Sequence, residues 1–270
     1  MRDIALHRFD DLDAAPDVAS YVAALEAFDA IPQIQELKSL ARADGNIGPG
    51  RTVLDVGCGF GLETLRLARA VGRDGIVFGL DKSRSLLDIA ERRAAALNLV
   101  ADFRHGEATA LPFGADTFDA VRAERVLIYL SRPEDALAEM VRVLQPGGRL
   151  ALIEPEFAST TVNISDRSAA GRALAHEAET AVATNWLPGK LYGLLRDFGL
   201  ASIRVETRVA IFPPSLGAIY FSGIGQRAAE AGVLTEGEGT AWQDEIEHLH
   251  RTGRLFGHVS TFLFLATKRP

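Results

Sequence analysis

The sequence predicts an α/β fold built on a doubly wound, mostly parallel sheet of seven strands. Two observations lead to this prediction. Short apolar runs alternate with segments of helical periodicity between residues 52 and 155, as parallel strands joined by crossover helices require. The first run leads directly into a turn with three glycines, "VLDVGCGFG" (53–61), at the place where such sheets bind ligands.

Two helices are predicted ahead of the first strand, within residues 17–44. Apolar residues from Val18 to Phe28 recur at helical spacing, and Pro32 suits the first turn of a second helix. We therefore predict an N-terminal helical cap over residues 1–48, followed by an α/β domain over residues 49–270.

The predicted strands and helices then alternate. Strands are expected at 52–56, 76–80, 100–105, 118–123 and 149–155, with helices over 62–71 and 83–97. A further helix begins near Ser131, which we predict to be its N-cap, with Pro133 in the first turn and Glu134 completing a capping box.

The pattern changes after residue 155. Residues 156–187 show no clear strand, and residues 214–252 are also predicted to be helical. We expect these two insertions to cover the substrate. Between and after them, a helix over 187–200 and strands over 201–212 and 258–268 are predicted to complete the sheet.

Composition narrows the class of protein. The 270 residues carry a net charge of −7, which argues against a general nucleic-acid binder. No His, Asp or Glu cluster shows metal-ligand spacing, and no apolar run reaches the length of a membrane span. The lone Cys58 excludes an internal disulfide, and the charged N-terminus does not resemble a signal peptide. We therefore expect a cytoplasmic location.

The spacing of the glycine turn separates two kinds of nucleotide site. A dinucleotide-binding turn needs G-x-G-x-x-G, but its third glycine would fall at Leu62. The turn instead has the spacing G-x-G-x-G, and Asp55 precedes it by two residues. An NAD-dependent oxidoreductase is therefore disfavoured.

Four further motifs follow in order. They are "GLDKS" with Asp81 after the second strand, "HGEATALPF" with Glu107 after the third, "FDAVRAERVLIYL" at the fourth, and "LQPGGRLALIEP" leading into the fifth. Together with the turn, they resemble the class I S-adenosylmethionine-dependent methyltransferases. The set is most similar to the small-molecule branch that contains the ubiquinone and menaquinone biosynthesis methyltransferases. The resemblance covers residues 50–155 and implies a Rossmann-like methyltransferase fold.

The resemblance also implies S-adenosyl-L-methionine as cofactor and assigns roles to residues here. Asp81 should accept both ribose hydroxyls, Glu107 should bind the adenine amino group, and the Ala123 carbonyl should face the methionine ammonium. The family more often has Asp where this chain has Glu107. The implied cofactor-binding residues are Asp55, Gly57, Cys58, Gly59, Gly61, Asp81, Lys82, Glu107, Ala108 and Ala123, with Tyr21 and Lys38 from the helical cap.

Two of these residues have alternative interpretations. Tyr21 and Lys38 touch the cofactor or substrate if the N-terminal helices fold over the site. Otherwise, Tyr21 belongs to the apolar stripe of its helix and Lys38 is exposed.

The candidates for catalysis are weaker, because the methyl group of a sulfonium is already activated and needs mainly alignment. His105, His176 and Arg125 are the candidates. Arg125 either binds an anionic group of the substrate or joins Arg122 and Glu124 in an ion-paired structural set.

These observations predict an enzyme that methylates a small, partly apolar metabolite by in-line displacement. We favour an oxygen or nitrogen acceptor over carbon. The alternative is an enzyme of the same fold that keeps S-adenosylmethionine but catalyses a non-methylating reaction, such as cyclisation or decarboxylation. We expect a small-molecule substrate and no nucleic-acid partner, and a homodimer is compatible with the sequence.

Overall fold

A computed structural model describes residue 13 and residues 18–270. Its sheet has seven strands, in the order β3-β2-β1-β4-β5-β7-β6. The first five strands pair in parallel, whereas β7 is antiparallel to both β5 and β6. The prediction of a mostly parallel, doubly wound sheet is confirmed. The strands are β1 (Thr52–Val56), β2 (Ile76–Asp81), β3 (Asp102–His105), β4 (Phe118–Glu124), β5 (Leu144–Val162), β6 (Ala201–Ile211) and β7 (Gly257–Thr267).

Helices flank both faces of this sheet. Among the described residues, none of these helices is long and apolar enough to cross a membrane. One short 3-10 helix, Leu127–Tyr129, follows β4. The α-helices are α1 (Val18–Asp29), α2 (Pro32–Asp44), α3 (Leu62–Val71), α4 (Arg84–Ala96), α5 (Pro133–Val143), α6 (Arg167–Thr180), α7 (Leu187–Asp197), α8 (Pro214–Glu230) and α9 (Glu236–Arg251).

The central strands are buried on both faces, which explains their continuous apolar runs. In β1, Leu54 and Val56 join the cluster formed with α5 and α7, while Val53 joins a cluster with α3. Burial of each such side chain stabilises the fold by about 1.5–3 kcal/mol relative to exposure. The β1–α3 connection is therefore held from both sides of the sheet.

Strand β5 is longer than the sequence predicts. The expected strand covered 149–155, but β5 runs from Leu144 to Val162 and so enters the segment we expected to be helical. The reason is tertiary: β7 supplies backbone partners far along β5, including His258 opposite Thr161. The expectation of no strand after residue 155 is wrong for 156–162.

The predicted cap of α5 is also wrong. The N-cap residue is Arg132, not Ser131, and no side chain caps the helix there, so Glu134 completes no capping box. Pro133 occupies the first turn as predicted, where its missing N–H costs nothing. The helix is instead fixed by its buried face, which includes Leu137 and Met140.

A layer of helices covers the β5–β7 end of the sheet. Helices α6, α8 and α9 share one apolar cluster, centred on the buried Trp242. Its indole Nε1 donates to the carbonyl of Phe221 at 2.7 Å, and Gly225 lets the ring approach α8 closely. Phe28 of α1 packs edge-on against Phe212 beside this layer, with ring centroids 6.0 Å apart. The layer and α1 thus meet near the carboxyl end of β4.

Candidate active site

A cavity of about 1170 Å³, open to solvent, lies at the carboxyl ends of β1, β2 and β4. The chain turns to opposite sides of the sheet after β1 and β4, and ligands of doubly wound sheets bind at such a switch point. Its walls come from the glycine turn, from α1 and α2, and from the loops after β2, β3 and β4.

The glycine turn is held by the neighbouring strand. The backbone amides of Gly57 and Cys58 both donate to the carbonyl of Leu80, at 2.7 and 3.0 Å. Gly57, Gly59 and Gly61 all have positive φ, which favours glycine. A Cβ on Gly57 would lie 2.3 Å from Val126, whereas one on Gly59 would meet only Leu86, at 3.9 Å. Gly59 therefore presents bare backbone to the cavity.

Asp81 ties this turn to the next helix. One carboxylate oxygen accepts from the amide of Gly59 at 2.7 Å, and the other accepts from the amide of Ser83 at 2.9 Å. Enclosure raises the pKa of Asp81, although these two hydrogen bonds oppose the shift. No described cation lies within ion-pair distance of its carboxylate. Each oxygen keeps a lone pair that a ligand hydroxyl could use.

The cavity brings together most of the residues implied by the resemblance. Asp81 and Gly59 lie on one wall, and Lys38 reaches the cavity from α2. Glu107 is exposed at the end beyond β3. The implied cofactor residues that line the cavity are Lys38, Asp55, Gly57, Cys58, Gly59, Asp81, Lys82, Glu107 and Ala108.

Three implied residues do not line it. Tyr21 packs against the apolar cluster that contains Phe60 and Leu86. Gly61 begins α3, and a Cβ there would lie 2.8 Å from Ala90 of α4. Ala123 is fully buried within β4. The structure therefore gives Gly61 a packing reason that the sequence pattern does not show.

The three catalytic candidates lie in different places. Arg125 lines the cavity. His105 is exposed at the end of β3, and His176 lies on α6; neither lines the cavity. Among residue 13 and residues 18–270, no cluster of His, Cys, Asp and Glu is arranged to hold a metal ion.

Lys38 is buried, so of its two interpretations the one that leaves it exposed is wrong. Its ammonium lies 2.5 Å from Asp29 and 2.8 Å from Glu124. Arg122 bridges from the other side, 2.7 Å from both Asp55 and Glu124. Arg122 and Glu124 thus form the ion-paired set that was one of the two interpretations, but their partners are Asp55 and Lys38.

This set extends into a network that spans α1, α2, α3, β1 and β4. Its members are the carboxylates of Asp29, Asp55, Glu63 and Glu124 and the cations Lys38, Arg42, Arg66 and Arg122. The four negative and four positive charges balance. Burial alone would raise the pKa of Glu124, but Lys38 and Arg122 lower it to about 2. Glu124 is therefore ionised at neutral pH. Burial raises the pKa of Asp55, although Arg122 and the Thr64 hydroxyl oppose that shift.

Glu154 is a buried acid behind the cavity wall that the sequence did not single out. One carboxyl oxygen accepts from the backbone amides of Val126 and Leu127, at 3.2 and 3.0 Å. The other oxygen is buried and has no hydrogen-bond partner among the described residues. Burial raises the pKa of Glu154 from 4.5 to about 8. At neutral pH the group is mostly protonated, and it holds the loop after β4 in place.

We expect Glu154→Gln to flatten the pH dependence of stability between about pH 5 and 8. A raised pKa in the folded state means that folded Glu154 binds a proton there that the unfolded chain has released. Wild-type stability should therefore fall as the pH rises towards 8, by up to about 1.4 kcal/mol per pH unit from this group. Urea unfolding at several pH values measures the slope. Glu156→Gln on the same strand is the control, and equal slopes for wild type and Glu154→Gln would contradict the shift.

Several other residues that line the cavity were missed by sequence reasoning. They include Leu25, Phe60, Leu86, Tyr129 and Leu130. Tyr129 follows β4 within "RVLIYL", so its place after a strand was a usable signal. The others are ordinary apolar positions of helices and loops, and no sequence pattern separates them from the core.

Comparison with known proteins agrees with this geometry. A family profile described as a methyltransferase domain matches residues 53–148. An uncharacterised 37.1 kDa protein in transposon Tn4556 of Streptomyces fradiae is 31% identical over 95% of this chain and 73% of its own length. Demethylmenaquinone methyltransferase of Bacillus mycoides is 39% identical over 40% of this chain, a match that spans 46% of the relative. The [4+2]-cyclase SpnF shares the fold, with a TM-score of 0.56 and 23% identity over 87% of this chain and 81% of SpnF.

Residues 53–148 belong to a methyltransferase domain family, and the chain has the fold of the class I S-adenosylmethionine-dependent methyltransferases, as its glycine turn and the strand-end motifs predicted. S-adenosylmethionine is the cofactor of this class.

Proposed function

We propose that the protein transfers the methyl group of S-adenosylmethionine to a small, partly apolar metabolite. The observation that carries this proposal is the division of the cavity. A bare-backbone turn and an acid follow β1 and β2, and the apolar side chains of Val126 and Leu130 follow β4. Such a site can hold a polar cofactor and an apolar acceptor side by side.

The residues at the turn suit the cofactor. Asp81 has free lone pairs for two ribose hydroxyls, and its contact with Gly59 fixes it against the turn. Gly57 and Gly59 would let the backbone approach the methionine portion, and Glu107, which also lines the cavity, would bind the adenine amino group. Lys38 and Asp55 act indirectly, because both belong to the ion network behind the turn.

When bound, S-adenosylmethionine supplies an activated methyl group, so the protein must mainly align the acceptor and exclude water. Apolar walls favour exclusion of water, and the buried network gives a rigid backing. No histidine lines the cavity among the described residues, which suits an acceptor that needs no strong base. A carboxylate or a free amine needs no base, whereas a carbon acid must lose a proton, so we favour an oxygen or nitrogen acceptor of that kind over carbon.

The alternative is a non-methylating reaction in the same site. SpnF is a [4+2]-cyclase, and its similarity to this chain shows a shared fold and no shared reaction. The 39% identity to demethylmenaquinone methyltransferase over 40% of the chain favours methyl transfer.

Transfer of a labelled methyl group decides between the two. The protein is incubated with methyl-labelled S-adenosylmethionine and an extract of its producing cells, and metabolites are analysed by mass spectrometry. We expect label in one small, partly apolar product. Tight cofactor binding without transfer of label across repeated extracts would instead support the non-methylating reaction.

A further inference from the structure

Arg125 differs from Lys38 and Arg122, the two ion-paired cations beside it at the cavity. Lys38 and Arg122 each contact two carboxylates, but no carboxylate of a described residue lies within 4.0 Å of Arg125. None of its guanidinium N–H groups donates a hydrogen bond to a described residue, and its Nε is buried. The guanidinium N–H donors of Arg125 therefore have no acceptor in the described protein. A ligand in the cavity can supply one.

Two acids interact electrostatically with Arg125, but neither forms an ion pair with it. Glu124 is committed to Lys38 and Arg122. Glu154 directs one oxygen to backbone amides, and its raised pKa keeps it mostly protonated at neutral pH. Arg125 therefore has no ion-pair partner among the described residues, and its charge is available to a ligand in the cavity.

The guanidinium is also fixed in position. It lies over the ring of Phe28, 4.7 Å from the centroid, and Phe28 packs edge-on against Phe212. Phe212 in turn stacks on Tyr220 with centroids 4.9 Å apart. A cation held by a packed aromatic set loses little freedom when it binds a ligand.

The backbone of Arg125 adds a second sign of function. Its φ is 52°, a left-handed conformation that costs a non-glycine residue of order 1–3 kcal/mol. Its amide is anchored to the carbonyl of Ile153 at 2.9 Å. Glycine would adopt this conformation more readily. The arginine side chain therefore occupies this position although it strains the backbone.

Arg125 lies apart from the turn-side acids. Asp81 follows β2 and Arg125 follows β4, with β1 between these strands. Two strand spacings separate the two strand ends by about 10 Å. Resting on the proposed function, we propose that Arg125 binds an anionic oxyacid group, a carboxylate or a phosphate, on the apolar acceptor. The planar fork of arginine suits either group through two parallel hydrogen bonds.

Calorimetric titration tests this site with the protein saturated with S-adenosylhomocysteine. The probes are benzoate and phenyl phosphate, with neutral benzamide as their matched control. We expect at least one anion to bind tenfold or more tightly than benzamide, and Arg125→Ala to abolish that difference. The preferred anion distinguishes a carboxylate from a phosphate acceptor.

Three further variants separate recognition from structure. Arg125→Lys keeps the charge without the fork and should retain part of the preference. Arg125→Gly relieves the left-handed backbone and should bind anions as poorly as the alanine variant. Arg132→Ala, at the exposed N-cap of α5, should behave as wild type.

Anions that bind no better than benzamide, or a preference that survives Arg125→Ala, would overturn the proposal. So would an equal loss of S-adenosylhomocysteine affinity in Arg125→Ala, since it would indicate a structural role. If the wild type binds no S-adenosylhomocysteine, the proposed function fails. The same titrations without cofactor then still decide whether Arg125 binds anions.

Discussion

Lys38→Met is expected to lower the free energy of unfolding by about 3–5 kcal/mol at neutral pH, the usual cost of removing one partner from a buried ion pair. Lys38 is 4% exposed and is the contact through which α2 reaches both Asp29 and Glu124. Its loss leaves Arg122 as the remaining ion-pair partner of Glu124 among the described residues. A loss of this size is a large fraction of the stability of an ordinary domain.

Urea unfolding measures the effect, with Lys190→Met on the exposed face of α7 as the matched control. The control should change stability by no more than about 0.5 kcal/mol. The double variant Lys38→Met with Glu124→Gln should recover part of the loss, because it removes a charge of each sign. A single variant as stable as the control would show that the network does not need Lys38.

Asp81→Ala is expected to weaken S-adenosylmethionine binding by about 1–3 kcal/mol, the scale of lost hydrogen bonds to a charged group. Asp81→Asn keeps the shape but loses the charge, and it should also weaken binding. Its effect on the free protein should be smaller than its effect on affinity. Both carboxylate oxygens accept from backbone amides, whereas asparagine has one acceptor oxygen, so one of the two amides loses its partner. We therefore expect a modest loss of stability when no cofactor is present, smaller than the loss of affinity.

Calorimetry gives the affinity and thermal unfolding gives the stability of the same samples. Asp88→Asn, on the exposed face of α4, serves as the control. Unchanged affinity in Asp81→Ala would remove the ribose assignment. A loss of stability in Asp81→Asn as large as its loss of affinity would show that Asp81 mainly holds the turn.

The parts of the fold that the sequence predicts well are those fixed by local pattern. The strand Thr52–Val56 and helix Leu62–Val71 occur with the predicted bounds, because an apolar run, a glycine turn and a helical stripe follow without a break. The extension of β5 to Val162 depends on pairing with β7, about a hundred residues further along the chain. Such long-range pairing leaves little local signal.

The same contrast holds for the candidate site: local motifs predict some of its residues, and the role of others depends on the packed fold. Asp81 and Glu107 were found because each follows a strand in a recognisable motif. The burial of Lys38 was not, since its partners Asp29 and Glu124 lie on other elements and a lysine on a helix is usually exposed. Glu154 was missed because it lies within the apolar run of β5, and such a run predicts burial but no further role. Charge pairing across elements is a property of the packed fold.

The position of β7 between β5 and β6 has a consequence for biosynthesis. As the chain emerges from the ribosome, β6 has no neighbour in the sheet, because its only partner strand is made later. Val205, Val209 and Ile211 of β6 are exposed even in the finished fold. A nascent chain halted before residue 257 therefore carries an unpaired, apolar strand that can associate with other chains. When β7 is made, it pairs with β5 and with β6 at the same time. We therefore expect chaperones to bind this protein mainly before β7 has joined the sheet.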